Sequence, residues 1–82
     1  MLYQIEFKPR AIRDLRAIDK SQARRIAEKI ALMKADLAGD VKRLTNFTPE
    51  FRLRVGEYRV LFEVEGNKVL IYRVRHRKDA YS

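Results

Sequence analysis

Residues 51–64 read FRLRVGEYRVLFEV, and this stretch predicts a β-hairpin. Apolar side chains alternate with other side chains on both sides of Gly56, as they do when successive residues of a strand point to opposite faces of a sheet. The glycine favours a tight turn between the two strands. Arg52, Arg54 and Arg59 therefore share one face, and the other face carries the apolar side chains of Phe51, Leu53, Val55, Val60, Phe62 and Val64. The hairpin predicts a sheet with one apolar face and one guanidinium face.

A third strand is predicted at residues 68–75, after a turn at residues 65–67. Its apolar run from Val69 to Tyr72 covers both faces, which favours a central position in the sheet. We expect the core side of this strand to carry Leu70, Tyr72 and Val74. The open face is then expected to carry Val69, Ile71, Arg73 and Arg75, so that five arginines lie together there.

The segment before the hairpin predicts a strand and two helices. Residues 2–7 are rich in β-forming side chains and are followed by Pro9, which is favoured in the first turn of a helix. A second helix is expected to begin with Asp19 or Ser21 as its N-cap and to stop at Gly39. Residues 40–50 are loop-like apart from Val41 to Leu44. Because the helices are separated by almost nothing, they should form an antiparallel hairpin.

Helical spacing divides the first helix into two sides. Its apolar stripe is Ala11, Ile12, Leu15 and Ile18, and its outer side is expected to carry Arg10, Arg13, Asp14 and Arg16. The predicted fold class is α+β, in the order β-α-α-β-β-β, with a mainly antiparallel sheet and the helical hairpin packed on one face. Residues 1–82 are expected to form a single domain.

Composition narrows the functional classes. The chain has 82 residues, with 19 Lys and Arg against 11 Asp and Glu and a net charge of +8, which suits nucleic acid or an acidic protein. Its lack of cysteine excludes a disulfide scaffold and a thiolate zinc site, and its single histidine excludes a multi-histidine metal cluster. The N-terminus has neither a signal-peptide pattern nor a long apolar run, so a cytoplasmic protein is expected.

The arginine face allows two interpretations. Clustered like charges repel one another, so the face should cost stability unless an anion neutralises it. It is either a binding surface for a polyanion or a solvated surface relieved by acidic neighbours, for which Glu57, Glu63 and Asp79 are the candidates.

The hairpin with its Tyr58-Arg59 pair, the ending VRHRKDAYS at residues 74–82 and the order of elements together resemble the RelE toxins of the RelE/ParE superfamily. The resemblance covers nearly the whole chain, and it implies a RelE-like fold without a cofactor. It also implies an endoribonuclease that enters the A site of the 70S ribosome, cleaves the bound mRNA and is held inactive by a cognate RelB-like antitoxin.

The resemblance also implies roles for individual residues. Catalytic roles fall on Arg59, Arg77 and Tyr81, and contacts to RNA or phosphate fall on Arg52, Arg54, His76 and Lys78. The best-known relatives carry lysine at the positions of Arg52 and Arg54. Since arginine does not give up its proton in proteins, we expect these two residues to hold phosphate and not to act as a base.

The proton carrier stays open at this stage. Metal-free RNA cleavage uses the neighbouring 2′-hydroxyl as nucleophile, and it needs a base, cations around the phosphate and an acid for the leaving oxygen. Histidine titrates near neutral pH, but we expect His76 to contact RNA. Tyr81 is the preferred base, because nearby positive charge favours the phenolate form. Arg77 would then assist the leaving group.

Two other functions share these features. One is a ParE-like toxin of the same fold that is directed at DNA gyrase, and the other is a non-catalytic nucleic-acid-binding module. Phe47 and Phe51 are expected to fill the core and not to stack on bases, and Tyr58 is expected to be structural, with its hydroxyl at the rim.

Overall fold

Two helices pack on one face of a five-stranded sheet in the computed structural model, which describes residues 1–81. The elements are β1 (Gln4–Phe7), α1 (Pro9–Ala17), α2 (Lys20–Leu32), β2 (Val41–Arg43), β3 (Phe51–Val55), β4 (Tyr58–Glu65) and β5 (Lys68–His76). The strand order is β1-β5-β4-β3-β2, with β1 parallel to β5 and the other pairs antiparallel. The predicted fold class is confirmed, and β5 lies in the interior of the sheet, between β1 and β4, in agreement with its apolar run.

The short edge strand β2 is the one element that the predicted order lacks. It pairs with β3, with Val41 opposite Leu53 and Lys42 opposite Arg52. Three residues are too few to show a clear alternation, and the strand is held by its neighbour in space. This pairing adds Lys42 to the arginine face.

The second helix begins as predicted but ends earlier. The side chain of Asp19 accepts a hydrogen bond from the Ser21 backbone N–H at 3.1 Å, as an N-cap does. The helix ends at Leu32 and not near Gly39, because the N-terminal segment binds the backbone that follows. The Tyr3 N–H donates to the Lys34 carbonyl at 2.9 Å.

An irregularity in the β4–β5 pairing reverses part of the predicted parity. Ile71 lies opposite Phe62 and Arg73 lies opposite Leu61, which leaves Tyr72 as an extra residue. Because one extra residue shifts the alternation, the predicted faces of Val69, Leu70 and Ile71 were wrong. Val69 and Ile71 are fully buried in the core against the helices, whereas Leu70 is on the opposite face. Val74 and the two arginines of β5 keep their predicted faces.

The open face of the sheet is partly covered by the end of the chain. Leu61, Leu70 and Ala80 are each no more than 5% exposed, yet they lie outside the core between sheet and helices. The residues after β5 therefore return over the open face. This return brings the C-terminal segment close to the arginines.

An ion pair joins α1 to the middle of β5. The Asp14 carboxylate accepts hydrogen bonds from Arg73 Nε at 2.8 Å and from the Val74 backbone N–H at 2.9 Å. Asp14 was expected on the outer side of α1, but its side chain is only 17% exposed. Burial alone would raise the pKa of Asp14, but the hydrogen bonds from Arg73 and Val74 outweigh it and lower the pKa below its usual value. The carboxylate thus satisfies β5 where β1 has ended.

Within residues 1–81, no helix is long and apolar enough to cross a membrane.

Replacing Asp14 should destabilise the fold and change its response to acid. Asp14→Ala leaves the Val74 N–H and a half-buried guanidinium without their acceptor, and we expect a loss of about 1–3 kcal/mol in the free energy of unfolding. Because the pKa of Asp14 is depressed in the folded state, its contribution is present above the unfolded pKa and is lost as the pH falls through the folded pKa.

Urea denaturation at neutral pH and at a series of pH values below about 4 measures both effects. Asp14→Asn should lose less stability on acidification than the wild type, whereas Glu28→Gln, at an exposed position on α2, should follow the wild type. An acid response of Asp14→Asn identical to that of the wild type would contradict this assignment.

Candidate active site

Positive side chains lie opposite one another across neighbouring strands of the open face. Arg54 of β3 is opposite Arg59 of β4, which is opposite Arg75 of β5. In the adjacent register, Arg52 is opposite Lys42 of β2. Directly opposed like charges destabilise a sheet, so this arrangement needs either internal carboxylates or an external anion.

A cavity of about 460 Å³ lies over these residues. It collects four of the seven predicted site residues, which come from β3, β4 and the C-terminal segment: Arg52, Arg54, Arg59 and Tyr81. The remainder of the wall is formed by Lys42, Leu44, Thr45 and Phe47. The cavity thus has a cationic side on the sheet and an apolar side on the loop that follows β2.

Asp40 neutralises two of the arginines in the cavity. Its carboxylate lies 3.1 Å from Arg52 Nη1 and 2.7 Å from Arg54 Nε, and its backbone carbonyl accepts a further bond from Arg52 at 2.8 Å. The hydrogen bond from Arg52 is the main reason that the pKa of Asp40 is below its usual value, with the charge of Arg54 acting in the same direction. The carboxylate therefore stays ionised and acts as an internal counter-ion.

Arg59 is held differently. Its Nη1 donates to the carbonyl of Gly56 in the tight turn at 3.0 Å and to the carbonyl of Tyr58 at the start of β4 at 2.9 Å. Within residues 1–81, Arg59 makes no ion pair with a carboxylate. Its charge is thus positioned by neutral acceptors, which leaves it available to an anion in the cavity.

Phe47 differs from its predicted role, whereas Phe51 and Tyr58 match theirs. Phe51 stacks on Phe62 with ring centroids 5.4 Å apart, and Tyr58 packs against the core. Phe47 instead lines the cavity, where its ring meets Tyr81 edge to face at 5.4 Å. The contact depends on the fold, because the two residues are far apart in sequence.

Three predicted site residues do not line the cavity. Arg77 is bound to Glu57, with its Nε 2.9 Å from the carboxylate. His76 lies opposite Tyr58 in the β4–β5 pair, and their rings pack edge to face at 5.6 Å. Lys78 is exposed, and its backbone N–H donates to His76 Nδ1 at 3.2 Å. These residues form a second basic group beside the turn between β3 and β4.

The acidic partners of the arginines were only partly foreseen. Glu57 pairs with Arg77 as a relief of charge, but Glu63 accepts a hydrogen bond from the Glu50 backbone instead. Most of the relief comes from Asp14 and Asp40. Asp40 and Lys42 are two residues apart, as are side chains on the same face of a strand. The segment is too short, however, for the sequence to indicate which strand it pairs with. Among residues 1–81, no three His, Asp or Glu side chains are grouped to hold a metal ion.

The fold and the basic cavity on the open face of the sheet together define the class of this chain. It is a small cationic α+β protein with a surface suited to a polyanion. The chain matches, over residues 5–81, the family model described as ParE toxin of type II toxin-antitoxin system, parDE. It therefore belongs to the RelE/ParE superfamily of type II toxin-antitoxin toxins, and the resemblance noted in the sequence is confirmed.

Individual relatives agree with this assignment. Toxin RelE3 of Methanocaldococcus jannaschii is 41% identical over 46 residues, which are 56% of this chain and 52% of that protein. The match thus spans about half the length of this relative.

Solved structures are similar over a larger share of the chain. A chain of the RelB-RelE antitoxin-toxin complex from Methanococcus jannaschii superposes with a TM-score of 0.75 at 29% identity, covering 92% of this chain and 93% of that one. A chain of the toxin-antitoxin complex RelBE2 from Mycobacterium tuberculosis gives a TM-score of 0.80 at 26% identity, with 94% and 100% covered.

Removing the carboxylate of Asp40 should strengthen anion binding. Asp40→Asn frees Arg52 and Arg54 from their internal counter-ion, and we expect the affinity for a short single-stranded oligonucleotide to rise by about two- to fivefold at low salt, the strength of an exposed ion pair. Fluorescence anisotropy with a labelled oligonucleotide measures the change. Glu65→Gln removes one negative charge at the exposed turn between β4 and β5 and is the matched control. An equal rise in affinity in both variants would show that Asp40 acts only through the net charge of the protein and not through its contacts with Arg52 and Arg54.

Proposed function

We propose that this toxin is a ribosome-dependent endoribonuclease that cleaves mRNA in the A site and so inhibits translation. One observation carries the proposal: three arginines and Tyr81 converge on a single cavity, on the positions that the RelE resemblance assigns to RNA cleavage. The chain is proposed to act as one domain in the cytoplasm, where its substrate is translated.

The chemistry assigned to the cavity is attack of a 2′-hydroxyl on the adjacent phosphorus. The new bond joins O2′ to phosphorus, the bond to the leaving O5′ breaks, and the products are a 2′,3′-cyclic phosphate and a 5′-hydroxyl. Arg52 and Arg54 hold the phosphate, displacing the carboxylate of Asp40, because guanidinium matches phosphate oxygens in a bidentate manner. Arg59 stabilises the charge that builds up on the phosphate oxygens. Tyr81 accepts the proton of the 2′-hydroxyl.

The second basic group, formed by His76, Arg77 and Lys78, acts on the bound RNA. His76 and Lys78 contact the RNA beyond the reacting phosphate. Arg77 stabilises the negative charge on the leaving O5′, which takes its proton from water, and the exposed ion pair of Arg77 with Glu57 has to open for this. Such surface pairs contribute little free energy, so bound RNA competes with Glu57 at small cost.

The proposed partner is a cognate RelB-like antitoxin. Two of the similar structures are toxin-antitoxin complexes, and the net charge of +8 suits an acidic partner segment. We propose that the antitoxin inhibits the toxin by covering the arginine face or displacing the C-terminal segment.

Cleavage mapping on translating ribosomes tests the function. Purified toxin should cut mRNA within the A-site codon, and a single 2′-deoxy substitution at the attacking nucleotide should abolish that cut while leaving ribosome binding intact. Co-expression with the small acidic protein of a neighbouring reading frame should relieve toxicity. Cleavage that persists at the deoxy position would rule out the 2′-hydroxyl mechanism.

A ParE-like activity is the second candidate, because the matching family model carries the ParE description. In that case the toxin would inhibit supercoiling by DNA gyrase and leave ribosome-bound mRNA intact. The same purified protein in the two assays separates the candidates. A protein that binds RNA but is inactive in both would be a non-catalytic nucleic-acid-binding module.

Arg59→Ala and Arg77→Ala should each lower the single-turnover cleavage rate by at least about 100-fold, as expected for the loss of a cation that stabilises the transition state. Both side chains lie outside the core, so circular dichroism should show an unchanged fold. Lys68→Ala removes the same charge at an exposed position at the start of β5 and should cleave normally. Cleavage at the wild-type rate in both arginine variants would show that Arg59 and Arg77 have no catalytic role.

Tyr81→Phe should slow cleavage by about 10²- to 10⁴-fold, the usual effect of losing a proton-transfer group. The aromatic contact with Phe47 is kept, so ribosome binding should change little. Single-turnover rates at saturating toxin separate these effects. A rate equal to that of the wild type would show that Tyr81 carries no proton.

A further inference from the structure

Phe47 is an aromatic side chain whose position in the cavity the core does not require. It is half-buried, and it is absent from the apolar side chains that pack between sheet and helices. It lines the cavity together with Leu44, Tyr81 and the arginines of β3 and β4. The cavity therefore joins an apolar wall to a cationic one.

The loop that carries Phe47 is tied down at its base. The Leu44 N–H donates to the Glu50 carbonyl at 2.6 Å, and Arg43 pairs with the Glu50 carboxylate at 3.1 Å. Glu50 is in turn bound to the sheet, since its N–H donates to the Glu63 carboxylate at 3.0 Å. Asn46 adopts a φ of 54°, in the left-handed region that asparagine tolerates, and turns the chain just before Phe47. The ring is thus presented by an anchored loop.

The geometry of the aromatic pair leaves at least one face of the Phe47 ring outside the contact with Tyr81. The rings of Phe47 and Tyr81 are nearly perpendicular, at 85°. In such a pair one ring contributes only its edge, and the other contributes one of its two faces. Whichever ring takes either role, Phe47 keeps at least one face outside the contact.

We propose that Phe47 forms a nucleobase subsite, in which a base of single-stranded RNA stacks on its ring while the arginines hold the neighbouring phosphate. A nucleotide has the same two-sided chemistry as the cavity, an anionic phosphate beside a flat apolar base. Stacking on an aromatic side chain is tolerant of sequence and adds to electrostatic binding. This inference rests on the proposed function, because it takes single-stranded RNA as the ligand.

A pair of probes separates base from phosphate. One is a 2′-O-methyl trinucleotide, which cannot undergo 2′-hydroxyl attack, and the other is an abasic trimer with the same phosphates. The chain has no tryptophan, so Phe47→Trp introduces a unique fluorophore at the subsite. Tyr3→Trp places the indole beside β1, at the opposite edge of the sheet, as a matched control.

We expect the trinucleotide to quench the indole of Phe47→Trp strongly and the abasic trimer to leave it almost unchanged, with no quenching in Tyr3→Trp. Phe47→Leu keeps apolar volume but removes the π face. It should weaken trinucleotide binding at least about fivefold, the lower end for a base–aromatic stack, and leave abasic binding as in the wild type.

Three outcomes would overturn the subsite: no quenching, equal quenching by both probes, or equal loss of both probes in Phe47→Leu, which would mean that Phe47 only supports Tyr81. If Phe47→Leu does not fold, the quenching data decide alone. Wild-type cleavage on ribosomes is measured in parallel. Base-dependent quenching without ribosomal cleavage would refute the proposed function and keep the subsite, whereas cleavage with base-independent quenching would refute the subsite alone.

Discussion

Repulsion among guanidinium groups on one face of a sheet is the constraint around which this molecule is arranged. Strand alternation places Arg54, Arg59 and Arg75 on one face, and the register of the strands sets them opposite one another, where like charges oppose strand pairing. The fold compensates with carboxylates from other elements. Asp14 of α1 binds Arg73, and Asp40 before β2 binds both arginines of β3.

The compensation is uneven, and the unevenness marks the candidate site. Asp14 and Arg73 are mostly buried, and Asp14 also accepts a hydrogen bond from the β5 backbone, so this ion pair is structural. Arg52 and Arg54, which pair with Asp40, line the open cavity, where an external phosphate has access to the same guanidinium groups. Arg59, held by carbonyl oxygens, keeps its full charge. A fold that retains uncompensated charge at one place is suited to bind an anion there, and the proposed ribonuclease activity makes use of that property.

Much of the fold and part of the candidate site could be predicted from residue patterns. The FRLRVGEYRVLFEV hairpin placed Arg52, Arg54 and Arg59 on one face, because alternation is a local property of a strand. The same reasoning failed for Val69 to Ile71, because the extra residue at Tyr72 appears only when β5 is paired with β4. The end of α2 was missed for a similar reason, since backbone groups near the N-terminus bind the segment that would have continued the helix. Phe47 was expected in the core because it is apolar. The sequence of a loop does not indicate which part of the folded protein an aromatic side chain will contact.

The sequence by itself determined the α+β order of elements, the basic character of the chain, its place in the RelE/ParE superfamily and the face on which the hairpin arginines lie. These depend on composition, on local periodicity and on short patterns that can be read along the chain. Only the tertiary structure decided which carboxylate binds which arginine, that Tyr81 and Phe47 meet over the sheet, and that His76, Arg77 and Lys78 lie apart from the cavity. Those features are contacts between residues distant along the chain, and they exist only once the strands are paired and the ends of the chain are packed against the sheet.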